Sequence, residues 1–146
     1  MDQVEVVVDR IHSWTQKEGA DAVLRLGGGR ELVARRGDER FNAWNQVESL
    51  ARQKGWPVYV EFVPATHAIR LMLLCTPRVV ESVQPGVKGN MTVVFRRAPS
   101  YYTLNIDRPD FAAMLALLQD AVQTRREVLV AVQPTTLEIL HVEAGK

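Results

Sequence analysis

The sequence predicts an α+β fold built from two pseudo-symmetric αββαββ halves, 1–75 and 76–146, with antiparallel sheets covered by helices. Two observations carry this. Residues 58–72 read VYVEFVPATHAIRLM and residues 128–142 read VLVAVQPTTLEILHV, each two apolar runs around a Pro-x-Thr corner. Between 41–69 and 111–139, nine of twenty-nine positions are identical at an offset of 70 without a gap, among them Phe41/Phe111, Ala51/Ala121, Val60/Val130, Pro64/Pro134 and Ile69/Ile139. The period is too long for common solenoid repeats and two copies are too few for one, so a tandem duplication within one compact domain is the simpler reading.

Taken in order, Val4, Val7, Val8, Ile11 and Trp14 fall at helical spacing, with Asp2 as N-cap and Gly19 as the stop, which predicts a helix over 3–16. The run Val6-Val7-Val8 offers a strand as the alternative. Residues 21–36 read as a hairpin around Gly27-Gly28-Gly29-Arg30. A helix follows, with Asp38 as N-cap, the stripe Phe41, Trp44, Val47, Ala51, and Lys54-Gly55 at its end. The hairpin 57–74 closes the first half. In the second half, Thr76-Pro77 opens a short predicted helix over 77–84 that Pro85-Gly86 stops. A hairpin around Ala98-Pro99-Ser100 comes next. The following helix has Pro109 at N1 and a broader apolar stripe from Phe111 to Val122, which predicts deeper burial than its counterpart. Arg125 and Arg126 suit its C-terminal dipole. The second Pro-x-Thr hairpin ends the chain.

Composition bounds the function. The chain has 146 residues, 47% of them hydrophobic and 24% charged, enough for a real core. It has no apolar run of membrane-spanning length, an acidic start (MDQVEVVVDR) and one cysteine, Cys75, which together predict a cytoplasmic protein without a disulfide. Net charge is +1, so the molecule as a whole exerts no strong pull on polyanions. His12, His67 and His141 stand at unrelated positions without metal-ligand spacing, and Cys75 ends an apolar strand. No cofactor, metal or catalytic residue is therefore expected. The triple-glycine turn could cradle an anion in its N–H groups, but no Gly-Lys-Ser/Thr follows it, so it reads as a hairpin turn.

One feature points to a partner. Segments 22–36 and 92–106 hold Arg25, Arg30, Arg35, Arg36, Arg96 and Arg97 against a single acid, Glu31, a local charge of +5 in a chain of net +1. Phe95, Tyr101 and Tyr102 lie among them. Arginines and aromatics on a sheet hold single-stranded nucleic acid by phosphate contact and base stacking. The same arginines also suit a solvated face that deters edge pairing.

The order αββαββ is similar to that of LAGLIDADG homing endonucleases, whose core helices each end in a metal-binding acid. Glu18 and Asp21 are available in the first half, but Lys88 and Met91 stand at the matching places, so a two-metal site lacks its second carboxylate. The first half, with a helix over 3–16, strands over 21–36, the helix containing Phe41-Asn42-Ala43-Trp44-Asn45, the hairpin 57–74 and a helix over 77–84, resembles the YbjN and type III secretion chaperone fold family. That resemblance implies a small, non-catalytic, often dimeric protein binding another protein through a sheet or helix surface. The leading expectation is accordingly a non-enzymatic, chaperone-like adaptor for a protein partner, possible also as a homodimer. Single-stranded nucleic-acid binding through the two basic hairpins is the alternative.

Overall fold

The structure, a computed structural model, describes residues 3–145 and is mixed α+β, mostly antiparallel sheet with two helices. The chain divides into two compact units, Met1–Leu74 and Cys75–Lys146.

The first unit contains β1 (Glu5–Asp9), β2 (Ile11–Gln16), β3 (Ala22–Leu26), β4 (Glu31–Ala34), α1 (Phe41–Lys54), β5 (Val58–Val63) and β6 (Ala68–Leu74). Its sheet runs β1-β5-β6-β4-β3-β2. All pairs are antiparallel except β4 with β6, which meet at Val33 and Ala68. Only Arg10 separates β1 from β2, yet they form the two ends of the sheet. The sheet must therefore curl until its ends meet at that residue.

The helix expected over 3–16 is thus a bent strand. Its apolar spacing has a strand explanation. The pairing shifts between Ile11 and Ser13, so the inward parity changes there. Val7, Ile11 and Trp14 all pack against the core, and a bulged strand reproduces the spacing of four and three that a helix would give. The β-branched run Val6-Val7-Val8 supplies the strand preference. Asp2, the expected cap, lies outside the described residues. Gly19 sits in the β2–β3 turn at φ 76°, a conformation that favours glycine.

The second unit contains β7 (Thr76–Pro85), β8 (Met91–Phe95), β9 (Tyr101–Leu104), α2 (Phe111–Thr124), β10 (Glu127–Val132) and β11 (Ile139–Ala144), in the order β11-β10-β7-β8-β9. The helix expected over 77–84 is β7, and again a bulge, between Val80 and Ser82, mimics helical spacing at Val80 and Val83. β7 pairs with β10 through Val79 and with β8 from Val80 onward, so it changes partners in mid-strand. A parallel bridge, Thr103 to Glu138, links β9 to the turn before β11. Both expected αββαββ halves are therefore corrected to three strands, a helix and two strands, the first strand of the first unit being broken at Arg10. Two of the helices in the chaperone-like element order are strands.

The closing hairpins match pair for pair at an offset of 70: Val60 faces Met72 and Val130 faces Val142, with register shifts after Glu61 and after Ala131. The parallel contacts Val33–Ala68 and Thr103–Glu138 match likewise.

Each helix packs one stripe on its own sheet. α1 buries Phe41, Trp44, Glu48 and Ala51 at steps of three and four. α2 buries Met114, Leu118 and Ala121, with Phe111, Leu115, Leu117 and Val122 partly covered, so it is not the more deeply buried of the two. Leu24, Leu32, Phe62 and Met72 complete the first core, and Val93, Phe95, Leu104 and Ile139 the second. Each such side chain contributes about 1.5–3 kcal/mol by leaving water. Both helices end in a left-handed residue, Gly55 (φ 71°) and Arg125 (φ 57°), whose N–H donates to Ala51 O and Ala121 O at 2.8 Å. Their starts differ from expectation. The N-caps are Arg40 and Asp110, neither with a side-chain cap bond, so Pro109 precedes the cap and Asp38 lies before it. Asp38 instead accepts from Arg40 N (2.9 Å) and Arg40 Nε (3.0 Å), and that bond holds its carboxyl below the usual range. Among the described residues, no helix is long and apolar enough to cross a membrane.

Candidate functional site

Strand alternation decides which hairpin residues reach solvent. In the second unit Val93 faces Tyr102 and Val94 faces Tyr101. The parity of Val93, Phe95, Tyr102 and Leu104 is inward. Phe95 is 1% exposed, and its ring lies 5.1 Å from that of Tyr102, tilted by 58°. Tyr102 packs on the same core. Phe95 is therefore removed from the candidate contact set, and Tyr102 offers at most an edge. The outward row is Thr92, Val94, Tyr101 and Thr103. Tyr101 is 73% exposed, at the start of β9 beside the turn that carries Arg96 and Arg97.

The first hairpin is less basic in space than in sequence. Arg25 stands directly across from Glu31, which offsets its charge. The Arg30 guanidinium lies 5.0 Å over the Phe62 ring, closing that edge of the core. Arg35 is exposed. Arg36 donates its N–H to Asp21 Oδ1 (2.9 Å) and lines a depression of about 520 Å³ with Gln16, Lys17, Glu18, Phe41 and Asn45. The triple-glycine turn is already occupied: Gly28 N–H donates to Asp9 Oδ2 at 2.7 Å.

In the second unit Arg96 and Arg97 are joined by arginines that sequence reasoning did not group with them. Val79, Val80, Glu81, Arg96, Val122 and Arg125 line a depression of about 260 Å³. Pro77, Arg78, Val79, Arg96, Arg97 and Glu127 line an adjoining one of about 360 Å³. The groove forms where β7 leaves β10 for β8. Arg78 was hidden in a segment that reads as helix, and Arg125 reads as a counter-charge for the helix end. Only the pairing of β7 with both neighbours could have joined them to the hairpin.

Cys75 is fully buried. Burial, and secondarily the Glu143 carboxylate, push its thiol up to about 12, so the nucleophilic thiolate is suppressed. Cys75 is expected to resist alkylation by iodoacetamide at pH 8 in the folded chain and to react in 6 M guanidinium, an experimental concentration chosen to unfold typical domains. Fast labelling of the native protein would show that the thiol is accessible. His141 Nε2 lies 3.1 Å from Glu143 Oε1, and no cluster of three or more potential metal ligands occurs among the described residues.

No protein-family model, curated protein or solved structure matches the chain.

Proposed function

We propose that this chain is a non-enzymatic binding protein for single-stranded nucleic acid, acting through the outward face of β8 and β9. The observation that carries the reading is connectivity. Numbered within the second unit, the five strands run 5-4-1-2-3, strand 1 is shared between strands 4 and 2, and a parallel bridge joins strand 3 to the start of strand 5. A helix intervenes between strands 3 and 4. This is the plan of a partly open five-stranded Greek-key barrel of the OB type, in which strands 2 and 3 form the face that takes oligonucleotides. Here that face carries exposed Tyr101 as a stacking platform next to Arg96 and Arg97. The first unit follows the same plan with its first strand broken, and we read the two as products of a tandem duplication, supported by the matched registers and the nine shared residues.

Labelled single-stranded DNA and RNA, titrated by fluorescence anisotropy, test this. Micromolar or tighter binding is expected at low salt, falling steeply toward physiological salt. Tyr101→Ala should weaken it by about 1–3 kcal/mol, the contribution of one stacked base. Absence of binding at low salt would end the reading and return a protein partner to the front.

A further inference from the structure

The two units share one hydrogen-bonded frame around the bend of the first strand and fill it with opposite charge. In the first unit Gly27 N–H donates to Arg10 O (2.8 Å) and Gly29 N–H to Leu26 O (2.9 Å). In the second, Arg96 N–H donates to Val79 O (2.8 Å) and Ala98 N–H to Phe95 O (3.3 Å). Ile11 faces Leu26 as Val80 faces Phe95. The helices end alike at Gly55 and Arg125. In this frame Arg78 stands in place of Asp9, Arg96 of Gly27, Arg97 of Gly28 and Arg125 of Gly55.

The first unit supplies its own anion. The Asp9 carboxylate accepts from Arg10 N (2.8 Å) and Gly28 N (2.7 Å), and Arg10 Nε closes on Gly55 O (3.0 Å). A Cβ at Gly28 would come within 3.2 Å of Asp9 Oδ2. The second unit has arginine at all four places. None of the four has an ion pair or side-chain hydrogen bond among the described residues. Arg96, Arg97 and Arg125 are exposed and Arg78 is half-buried. Glu81 and Glu127 are the acids that line the groove, which leaves it positive.

Backbone strain marks the same groove. Arg97 (φ 64°) and Arg125 (φ 57°) are left-handed, a conformation costly for a residue with a Cβ. The first unit ends its helix with glycine at that place (Gly55, φ 71°).

We propose that Arg78, Arg96, Arg97 and Arg125 form a binding site for a phosphate group. Guanidinium forks match its oxygens, and the apolar floor of Val79, Val80 and Val122 strengthens those charged bonds. Arg96 lines both depressions, with Arg125 in one and Arg78 and Arg97 in the other, and several guanidinium forks suit a dianionic, three-oxygen group better than a carboxylate. The same oxyanion is presented by the 5′ end of a nucleic-acid strand and by a small phosphate ester. The site shares Arg96 and Arg97 with the Tyr101 face but makes no use of Tyr101 itself.

The test uses the full ¹⁵N-labelled chain, following arginine Nε–H resonances during titration with inorganic phosphate. Saturable shifts are expected, with affinity falling by about tenfold or more in Arg96→Gln/Arg125→Gln and in Arg78→Gln/Arg97→Gln. Arg35→Gln/Arg36→Gln, in the other unit, should bind as the parent does. Amide spectra check that each variant is folded. Non-saturating shifts, or unchanged affinity in both groove variants, would overturn the site. Competition by a 5′-phosphorylated oligonucleotide but not its 5′-hydroxyl twin would identify a strand end as the source. Competition by glycerol phosphate alone would identify a small ester. Oligonucleotide binding with no saturable phosphate site would sink the groove and spare the nucleic-acid reading. Saturable phosphate binding with no oligonucleotide binding would do the reverse.

Discussion

Phe95→Ala is expected to destabilise the second unit by about 3–5 kcal/mol, while Tyr101→Ala leaves stability within about 0.5 kcal/mol. The two positions stand six residues apart on one hairpin and read alike in sequence. Their burial separates them: Phe95 is 1% exposed and Tyr101 is 73% exposed. Truncating Phe95 removes ring contacts with Tyr102 and leaves a cavity among Val93, Leu104 and their neighbours in the core. Truncating Tyr101 removes a ring already in water. Urea unfolding followed by far-UV circular dichroism reads both. Equal losses would mean that the hairpin's faces are assigned wrongly, and with them the nucleic-acid contact face.

Arg52→Ala is expected to cost the first unit about 1–3 kcal/mol, the penalty of leaving a buried acceptor without its donor. Glu48 is 3% exposed, an unusual place for a carboxylate, and Arg52 meets it with two bonds, Nε to Oε2 at 2.6 Å and Nη2 to Oε1 at 3.1 Å. The Glu48 hydrogen bond raises the affinity of Arg52 for its proton. Removing Arg52 strands the buried charge. Removing both charges should not: Glu48→Leu/Arg52→Ala is expected to recover most of the loss, because a buried ion pair replaced by apolar packing is often neutral. The second unit already has Leu118, fully buried, at the matching helix position. Trp14, Trp44 and Trp56 all belong to the first unit, so tryptophan fluorescence in urea follows it alone. A single variant as stable as the parent would mean that Glu48 finds water without its partner.

Much of the architecture was legible because its signals are local. The glycine and proline corners located the four hairpins, and apolar steps of three and four located α1 and α2. The first strand of each unit was not legible as such. Its bulge shifts side-chain parity within a few residues, and Val7, Ile11 and Trp14 then imitate a helix face. The candidate site failed for a related reason. Parity set Phe95 and Tyr102 inward, a cross-strand partner offset Arg25, and an aromatic edge took up Arg30. Arg78 and Arg125 became neighbours of Arg96 only through a strand that changes partners, a long-range event without a local trace.

The strand broken at Arg10 also orders events in time. Its second part pairs with the segment 22–26, close behind it in the chain, but its first part pairs with 58–63, Glu5 lying opposite Phe62. During synthesis β2 can find its partner early, whereas β1 must wait, unpaired and with Val7 still in water, until α1 and β5 have both been made. Closing so long a loop is slow relative to local pairing. β1 is thus among the last elements of the first unit to be fastened.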